Sequence, residues 1–119
     1  MTRTVNKFGK ILRARRLEMK FSLRTFAKMS GVSPTYLSQV EQGNVDPPTA
    51  ERVSRMAELL EANVDEWISL AGRVPEDLPE IIQRNPTAMP ELLREANGLT
   101  AEQLKKLIEG ARKMKEKKG

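Results

Sequence analysis

The sequence predicts an all-α protein. Apolar residues recur three and four positions apart in nearly every segment, and no segment alternates apolar and polar residues like a half-buried strand. Residues typical of helix ends separate these segments, with Ser, Thr or Asn at the starts and Gly at the ends. A length of 119 residues suits one small domain with an appendage.

Residues 1–72 are predicted to form the principal domain, with five helices. The third helix has the best-defined start, because Ser33 is a good N-cap and Pro34 suits the first helical position. The five helices are expected near Lys7–Met19, from Ser22 to Gly31, from Ser33 to Gly43, from Thr49 through Leu60, and from Asn63 or Val64 to Gly72.

Residues 73–119 are predicted to form a helical accessory region. Its prolines each suit the first turn of a helix, so we expect two short helices near Glu76–Arg84 and Ala88–Ala96 rather than a disordered linker. Thr100 and Gln103 match a capping box at the start of a last helix. The basic end of the chain contains little to bury, so we expect it to fray.

Composition excludes several classes of function. The chain contains no Cys and no His, which excludes disulfides and thiolate zinc sites and disfavours His-dependent catalysis. No pair of carboxylates stands out, so we expect no enzyme, no metal and no cofactor. No apolar stretch is long enough to span a membrane and no secretory signal is recognisable, so a cytoplasmic protein is expected.

Charge is unevenly distributed along the chain. Residues 1–46 are net basic, residues 47–98 net acidic and residues 99–119 net basic, with an overall charge of +5. A basic front module is typical of a surface directed at a polyanion, although a mixed solvated surface would show the same pattern.

Two short helices joined by a tight turn, between Ser22 and Gly43, carry the functional signal. Leu37 and Val40 face inward on the second of them, which leaves an outward face of hydroxyl and amide side chains. Such groups suit the edges of base pairs in the DNA major groove, whereas a merely solvated helix would ordinarily carry charge. The outward residues are Thr35, Ser38, Gln39 and Gln42.

The span from about Phe8 to Gly72 resembles the helix-turn-helix domain of the Cro and phage-repressor class, also called the xenobiotic-response-element family. The resemblance implies a five-helix phage-repressor-like fold that binds double-stranded DNA. The matching residues are Gly9, Leu12-Arg13, Arg16, Ser22 to Ala27, Gly31-Val32-Ser33, Tyr36-Leu37-Ser38, Glu41-Gln42-Gly43, Pro47-Pro48, Leu60 and Trp67-Ile68.

The resemblance implies roles for individual residues. Thr35, Ser38 and Gln39 fall at the base-reading positions, and Arg16 and Glu41 correspond to a partly buried structural ion pair. Contacts to the DNA backbone, or support for the reading helix, are expected from Ser22, Arg24, Ser33, Tyr36, Gln42, Asn44 and, with other basic residues of the first helix, Arg13.

Two positions depart from the family pattern. Leu23 stands where many relatives carry a Gln that helps position the reading helix, which leaves the phosphate register less defined. Lys20 stands near a position where many carry Gly, which suggests that the turn after the first helix is built differently.

A homodimer is expected, because one reading helix covers too few base pairs. Its interface has two candidate locations: the junction of the fourth and fifth helices, or the apolar stripe of the last helix. That stripe could equally fold back onto its own domain. The candidate interface residues are Leu60, Asn63, Val64, Trp67, Leu104, Leu107 and Ile108.

The leading hypothesis is a dimeric transcriptional repressor that recognises a near-palindromic operator through the helix starting at Ser33. The alternative is an antitoxin or adaptor for which DNA binding is secondary and residues 73–119 bind a protein partner. DNA titrations that compare specific with random sequence distinguish the two hypotheses.

Overall fold

The computed structural model describes the backbone of residues 6–118 and the side chains of residues 7–117. Residues 1–5 and 119, at the outer ends of the two predicted domains, lie outside the described residues. Over the described part the chain is all-helical, as predicted. The helices are α1 (Asn6–Glu18), α2 (Leu23–Met29), α3 (Pro34–Gln42), α4 (Ala50–Leu59), α5 (Val64–Leu70), α6 (Leu78–Arg84), α7 (Ala88–Ala96) and α8 (Ala101–Lys118).

The chain divides into two compact units, of which the front unit ends at Leu78 and the rear unit begins at Pro79. The front unit therefore extends beyond Gly72. Arg73 gives a physical reason, since its guanidinium donates to the carbonyl oxygens of Pro48 at 3.0 Å and Pro47 at 2.6 Å. These bonds tie the segment after α5 to the loop before α4.

The front unit has a continuous hydrophobic core to which α1 to α5 all contribute. Phe8 and Trp67 meet edge to face, with ring centroids 5.9 Å apart. Burial of these side chains stabilises the short helices, because helices of this length are marginal in isolation. The core consists of Phe8, Leu12, Phe26, Ala27, Leu37, Val40, Ala50, Val53, Met56, Ala57, Leu60, Trp67, Ile68 and Ala71.

Helix starts in the front unit lie where the sequence predicts them. The Ser33 hydroxyl accepts a hydrogen bond from the Tyr36 N–H at 3.0 Å, and Pro34 occupies the first turn of α3. Ser22, Thr49 and Asn63 cap α2, α4 and α5 in the same way. Each cap satisfies a backbone donor that has no partner within its helix.

The turn after α1 has the ordinary left-handed geometry even though it lacks glycine. Lys20 adopts φ 63°, close to the φ of 73° at Gly31, the turn residue after α2. The N–H groups of Lys20 and Phe21 donate to the carbonyls of Leu17 and Arg16, as in a Schellman motif. The expectation of a differently built turn is therefore wrong: Lys20 adopts the left-handed conformation at an energetic cost.

The rear unit contains α7, α8 and all but the first residue of α6. The predicted capping box is formed at the start of α8: the Thr100 hydroxyl accepts from the Gln103 N–H at 3.1 Å, and the Gln103 side chain accepts from the Thr100 N–H at 3.0 Å. Helix α6 begins at Leu78 rather than near Glu76, because a turn closed by the Pro75 carbonyl precedes it.

Helix α8 continues to Lys118, through the segment in which fraying is expected. Lys and Glu, which fill this segment, are good helix formers, and cations near a helix C-terminus interact favourably with its dipole. No side chain among residues 79–117 is buried. Within the described chain, no helix is long and apolar enough to cross a membrane.

Candidate nucleic-acid interface

Helix α3 is held in place by α1 and α2, which both pack against it. Leu37 and Val40 lie in the core beneath α3, as predicted. Gly9 of α1 lies directly over the end of α3, since a Cβ atom at this position would come 2.4 Å from the Val40 carbonyl oxygen and 2.7 Å from that of Glu41. Because glycine has no side chain, the backbones of α1 and α3 can lie in direct contact here.

Arg16 and Glu41 form a buried ion pair between α1 and α3, the pairing that the family resemblance implies. The guanidinium donates from Nε to Oε2 at 2.7 Å and from Nη2 to Oε1 at 2.9 Å, and its Nη1 donates to the Phe21 carbonyl at 2.9 Å. The hydrogen bonds to Glu41 raise the pKa of Arg16, assisted by charge attraction and opposed by burial. The ion pair fixes the position of α3 relative to α1.

The outward face of α3 carries the predicted base-reading residues. Thr35 and Gln42 are exposed, and Ser38 and Gln39 are half-buried. These positions are three or four residues apart, so they share one side of the helix. The face carries hydroxyl and amide groups and no charge, which suits hydrogen bonding to base edges.

Part of this face is already organised by hydrogen bonds. Gln42 Nε2 donates to the Ser38 hydroxyl at 2.8 Å, and Asn44 Nδ2 donates to Gln42 Oε1 at 3.1 Å. Thr35 and Gln39 stand outside this arrangement. Of the three predicted base-reading side chains, Ser38 is therefore positioned by its neighbours, whereas Thr35 and Gln39 are not.

Several of the candidate contacts to the DNA backbone lie at or near the start of a helix. Ser22 and Ser33 cap α2 and α3, so their hydroxyls lie beside exposed N–H groups that favour anions. Arg24 is exposed in the first turn of α2, and Arg13 is 62% exposed with its Nε 4.0 Å from Glu41. Tyr36 is half-buried and packs against the core.

Several arginines have structural roles that the sequence does not reveal. Arg52 and Arg55 of α4 donate to the carbonyls of Gly31 and Met29, at the end of α2, at 3.4 and 3.3 Å. Arg15 donates to the Leu60 carbonyl at 2.8 Å. Arg15 is therefore anchored to the protein. It is one of the basic residues of the first helix that were expected to attract DNA phosphates.

The structure also corrects the candidate dimer surface. Leu60 is fully buried and Trp67 is 4% exposed, so neither side chain has surface to offer to a second chain. Asn63 is exposed but caps α5, and Val64 is half-buried. The apolar candidates with substantial exposure are Leu104, Leu107 and Ile108 on α8, at 38%, 47% and 49%.

Comparison with known proteins identifies the same region. The helix-turn-helix family model matches residues 12–67, which extend from α1 into α5 and contain the whole of α2, α3 and α4. None of the curated proteins compared matches the chain.

Several solved structures are similar to this chain. The clp gene regulator ClgR from C. glutamicum is 29% identical, with a TM-score of 0.51 over 60% of this chain and 92% of that chain. A second structure of ClgR, from Corynebacterium glutamicum, is 24% identical, with a TM-score of 0.52 over 81% of this chain and 96% of the other. The biofilm master regulator SinR, in complex with DNA, is 24% identical, with a TM-score of 0.48 over 51% and 97% of the two chains.

Proposed function

We propose that this chain is a dimeric transcriptional repressor, and the match of residues 12–67 to the helix-turn-helix family model supports this proposal. In this proposal α3 enters the major groove of a near-palindromic operator. Thr35, Ser38 and Gln39 contact base edges, and residues at the ends of α2 and α3 contact the DNA backbone.

The observation that carries the proposal is the uncharged, hydrogen-bonding outer face of α3. The opposite face of the same helix is fixed by the Arg16–Glu41 ion pair and by the close approach at Gly9. A reading helix needs both properties, because base recognition depends on side chains held at defined positions. The proposal assigns the chain a binding role and no catalysis.

A second copy of the chain is part of the proposal. One reading helix covers a few base pairs, and two related by a twofold axis read half-sites about 34 Å apart. The exposed apolar side chains Leu104, Leu107 and Ile108 support α8 as the dimer surface, since large exposed apolar patches mark sites of association. The proposal places the protein in the cytoplasm with DNA.

The experiment that tests the proposal is selection of bound sites from a random double-stranded oligonucleotide pool. We expect enrichment of one near-palindromic sequence, and equilibrium titrations should then show that this sequence binds far more tightly than random DNA. Equal affinity for the selected sequence and for random DNA would contradict the proposed repressor function and favour the adaptor function.

Gln39→Ala tests the reading face directly. We expect a loss of about 1–3 kcal/mol in binding to the selected site, with relaxed preference at one position of each half-site and little change on random DNA. The matched control is Gln83→Ala, at an exposed position of the rear unit. It should change neither the affinity for the selected site nor the affinity for random DNA. An equal loss on selected and random DNA would remove Gln39 from the base-reading residues.

A further inference from the structure

Three side chains at the end of α3 form a directed series of hydrogen bonds, here called the Asn44–Gln42–Ser38 relay. Asn44 Nδ2 donates to Gln42 Oε1 at 3.1 Å, and Gln42 Nε2 donates to the Ser38 hydroxyl oxygen at 2.8 Å. Both bonds run in the same direction, with Ser38 as the last acceptor. The direction determines what Ser38 can offer to a partner outside the protein.

The backbone fixes the first member of the relay. Gly43 adopts a left-handed φ of 76°, and the Asn44 N–H returns to the Gln39 carbonyl at 3.0 Å. This Schellman turn brings the Asn44 side chain next to Gln42. An amide side chain has an acceptor oxygen and a donor nitrogen. Because Asn44 occupies the oxygen of Gln42, the nitrogen of Gln42 is directed at Ser38.

The Ser38 hydroxyl is consequently left with its proton unused. A serine hydroxyl has one proton and two lone pairs, and Gln42 engages one lone pair. Within residues 6–118, Gln42 is the hydrogen-bond partner of this hydroxyl, and no protein group accepts its proton. Ser30 shows the contrasting arrangement, since its hydroxyl donates to the Phe26 carbonyl of its own helix at 2.7 Å.

We propose that Ser38 acts on DNA as a hydrogen-bond donor whose polarity is set by Gln42 and Asn44, an inference that rests on the proposed function. Accepting a bond from Gln42 also makes the hydroxyl a stronger donor. The base opposite Ser38 must then present an acceptor: guanine N7 or O6, adenine N7, or thymine O4. Cytosine is disfavoured there, because its major-groove edge is an amino donor. Gln42 and Asn44 are positioning residues in this mechanism.

Reversal of the relay tests the inference. In Gln42→Glu the new carboxylate can only accept, so the Ser38 proton turns toward it and Ser38 presents lone pairs to DNA. In Asn44→Asp the Gln42 nitrogen turns toward the carboxylate and its oxygen toward Ser38, with the same result. Site selection with Ser38→Ala first identifies the base position that depends on Ser38.

We expect discrimination against cytosine at that position to fall by about tenfold in both variants, within the range that a single base contact supplies. Val45→Asp is the charge control, because it adds a carboxylate beside Asn44 without joining the relay. It should weaken all sequences equally and leave base preference unchanged. Gln42→Met, which removes the donor without adding charge, should lower the discrimination without reversing it.

The outcomes separate the inference from the proposed function. If wild-type protein selects no sequence at all, the proposed function fails. If it selects a site but Ser38→Ala changes no position, or if neither reversing variant changes preference at the Ser38 position, the relay is wrong. A double variant shows whether Gln42 acts through Ser38 or contacts the base itself. If Gln42 acts through Ser38, Gln42→Glu should not change base preference further in the Ser38→Ala background. A change that persists there would assign base reading to Gln42 itself.

Discussion

A well-formed cap begins α3 in the front unit and α8 in the rear unit, but the apolar side chains of the two units have different environments. Leu12 and Leu37 of the front unit are fully buried, whereas Leu93 and Leu107 of the rear unit are 54% and 47% exposed. The caps at Ser33 and Thr100 nevertheless form equally well. A local cap can therefore form in either unit, whereas the burial of apolar side chains depends on tertiary packing.

The sharpest test of this difference is the same substitution in both units. Leu12→Ala should destabilise the front unit by about 3 kcal/mol, because it leaves a cavity in a packed core. Leu107→Ala should cost less than about 1 kcal/mol in dilute protein, because the side chain is already half in water. Urea unfolding followed by far-UV circular dichroism measures both. A comparable loss for Leu107→Ala at the lowest concentration would show that the rear leucines are covered within one chain.

Glycine substitutions extend the comparison to the helix backbones. Gly9→Ala should destabilise the protein by about 2–3 kcal/mol, because its methyl group would overlap two backbone carbonyls of α3. In Gly110→Ala the methyl group meets nothing within 4 Å, and the better helix propensity should stabilise α8 by about 0.5–1 kcal/mol. Thermal and urea unfolding of the pair test this. Tolerance of Ala at position 9 would contradict the close contact between α1 and α3.

The smallest expected effect concerns backbone strain in the front unit. Lys20 and Glu61 are left-handed there with φ of 63° and 54°, whereas Gly98 fills the left-handed position of the rear unit. Lys20→Gly should stabilise the front unit by about 0.5–1 kcal/mol, because relief of the side-chain clash exceeds the added freedom of the unfolded chain. Lys10→Gly, within α1, should destabilise it by about 1 kcal/mol. A shift of both urea midpoints in the same direction would contradict the strain at Lys20.

Features that depend on neighbouring residues could be predicted from the sequence. The cap at Ser33 and the outward face of α3 follow from spacings of three and four residues. Leu60 was expected at a candidate dimer interface, but it is fully buried in the core. The turn at Lys20 was predicted wrongly because the residue type alone does not determine the backbone angle φ.

Side-chain contacts could not be predicted where neither the local pattern nor the family resemblance indicates them. Arg15 donates to a carbonyl 45 positions away, at Leu60, and nothing in the local pattern of α1 marks that partner. The Asn44–Gln42–Ser38 relay was also missed, although its members are close in sequence. It requires the left-handed turn at Gly43 to bring Asn44 back toward Gln42, and it requires the orientation of two amides.

The arginines that donate hydrogen bonds to protein oxygens affect how DNA binding should depend on salt concentration. Arg15, Arg16, Arg52, Arg55 and Arg73 all donate to carbonyls or carboxylates of the front unit. Each phosphate neutralised on duplex DNA displaces condensed counterions and contributes about −0.9 to the slope of log affinity against log salt concentration. That slope should accordingly be shallower than the number of basic residues suggests, with Arg13, Arg24 and the exposed lysines of α1 and α2 as its principal sources.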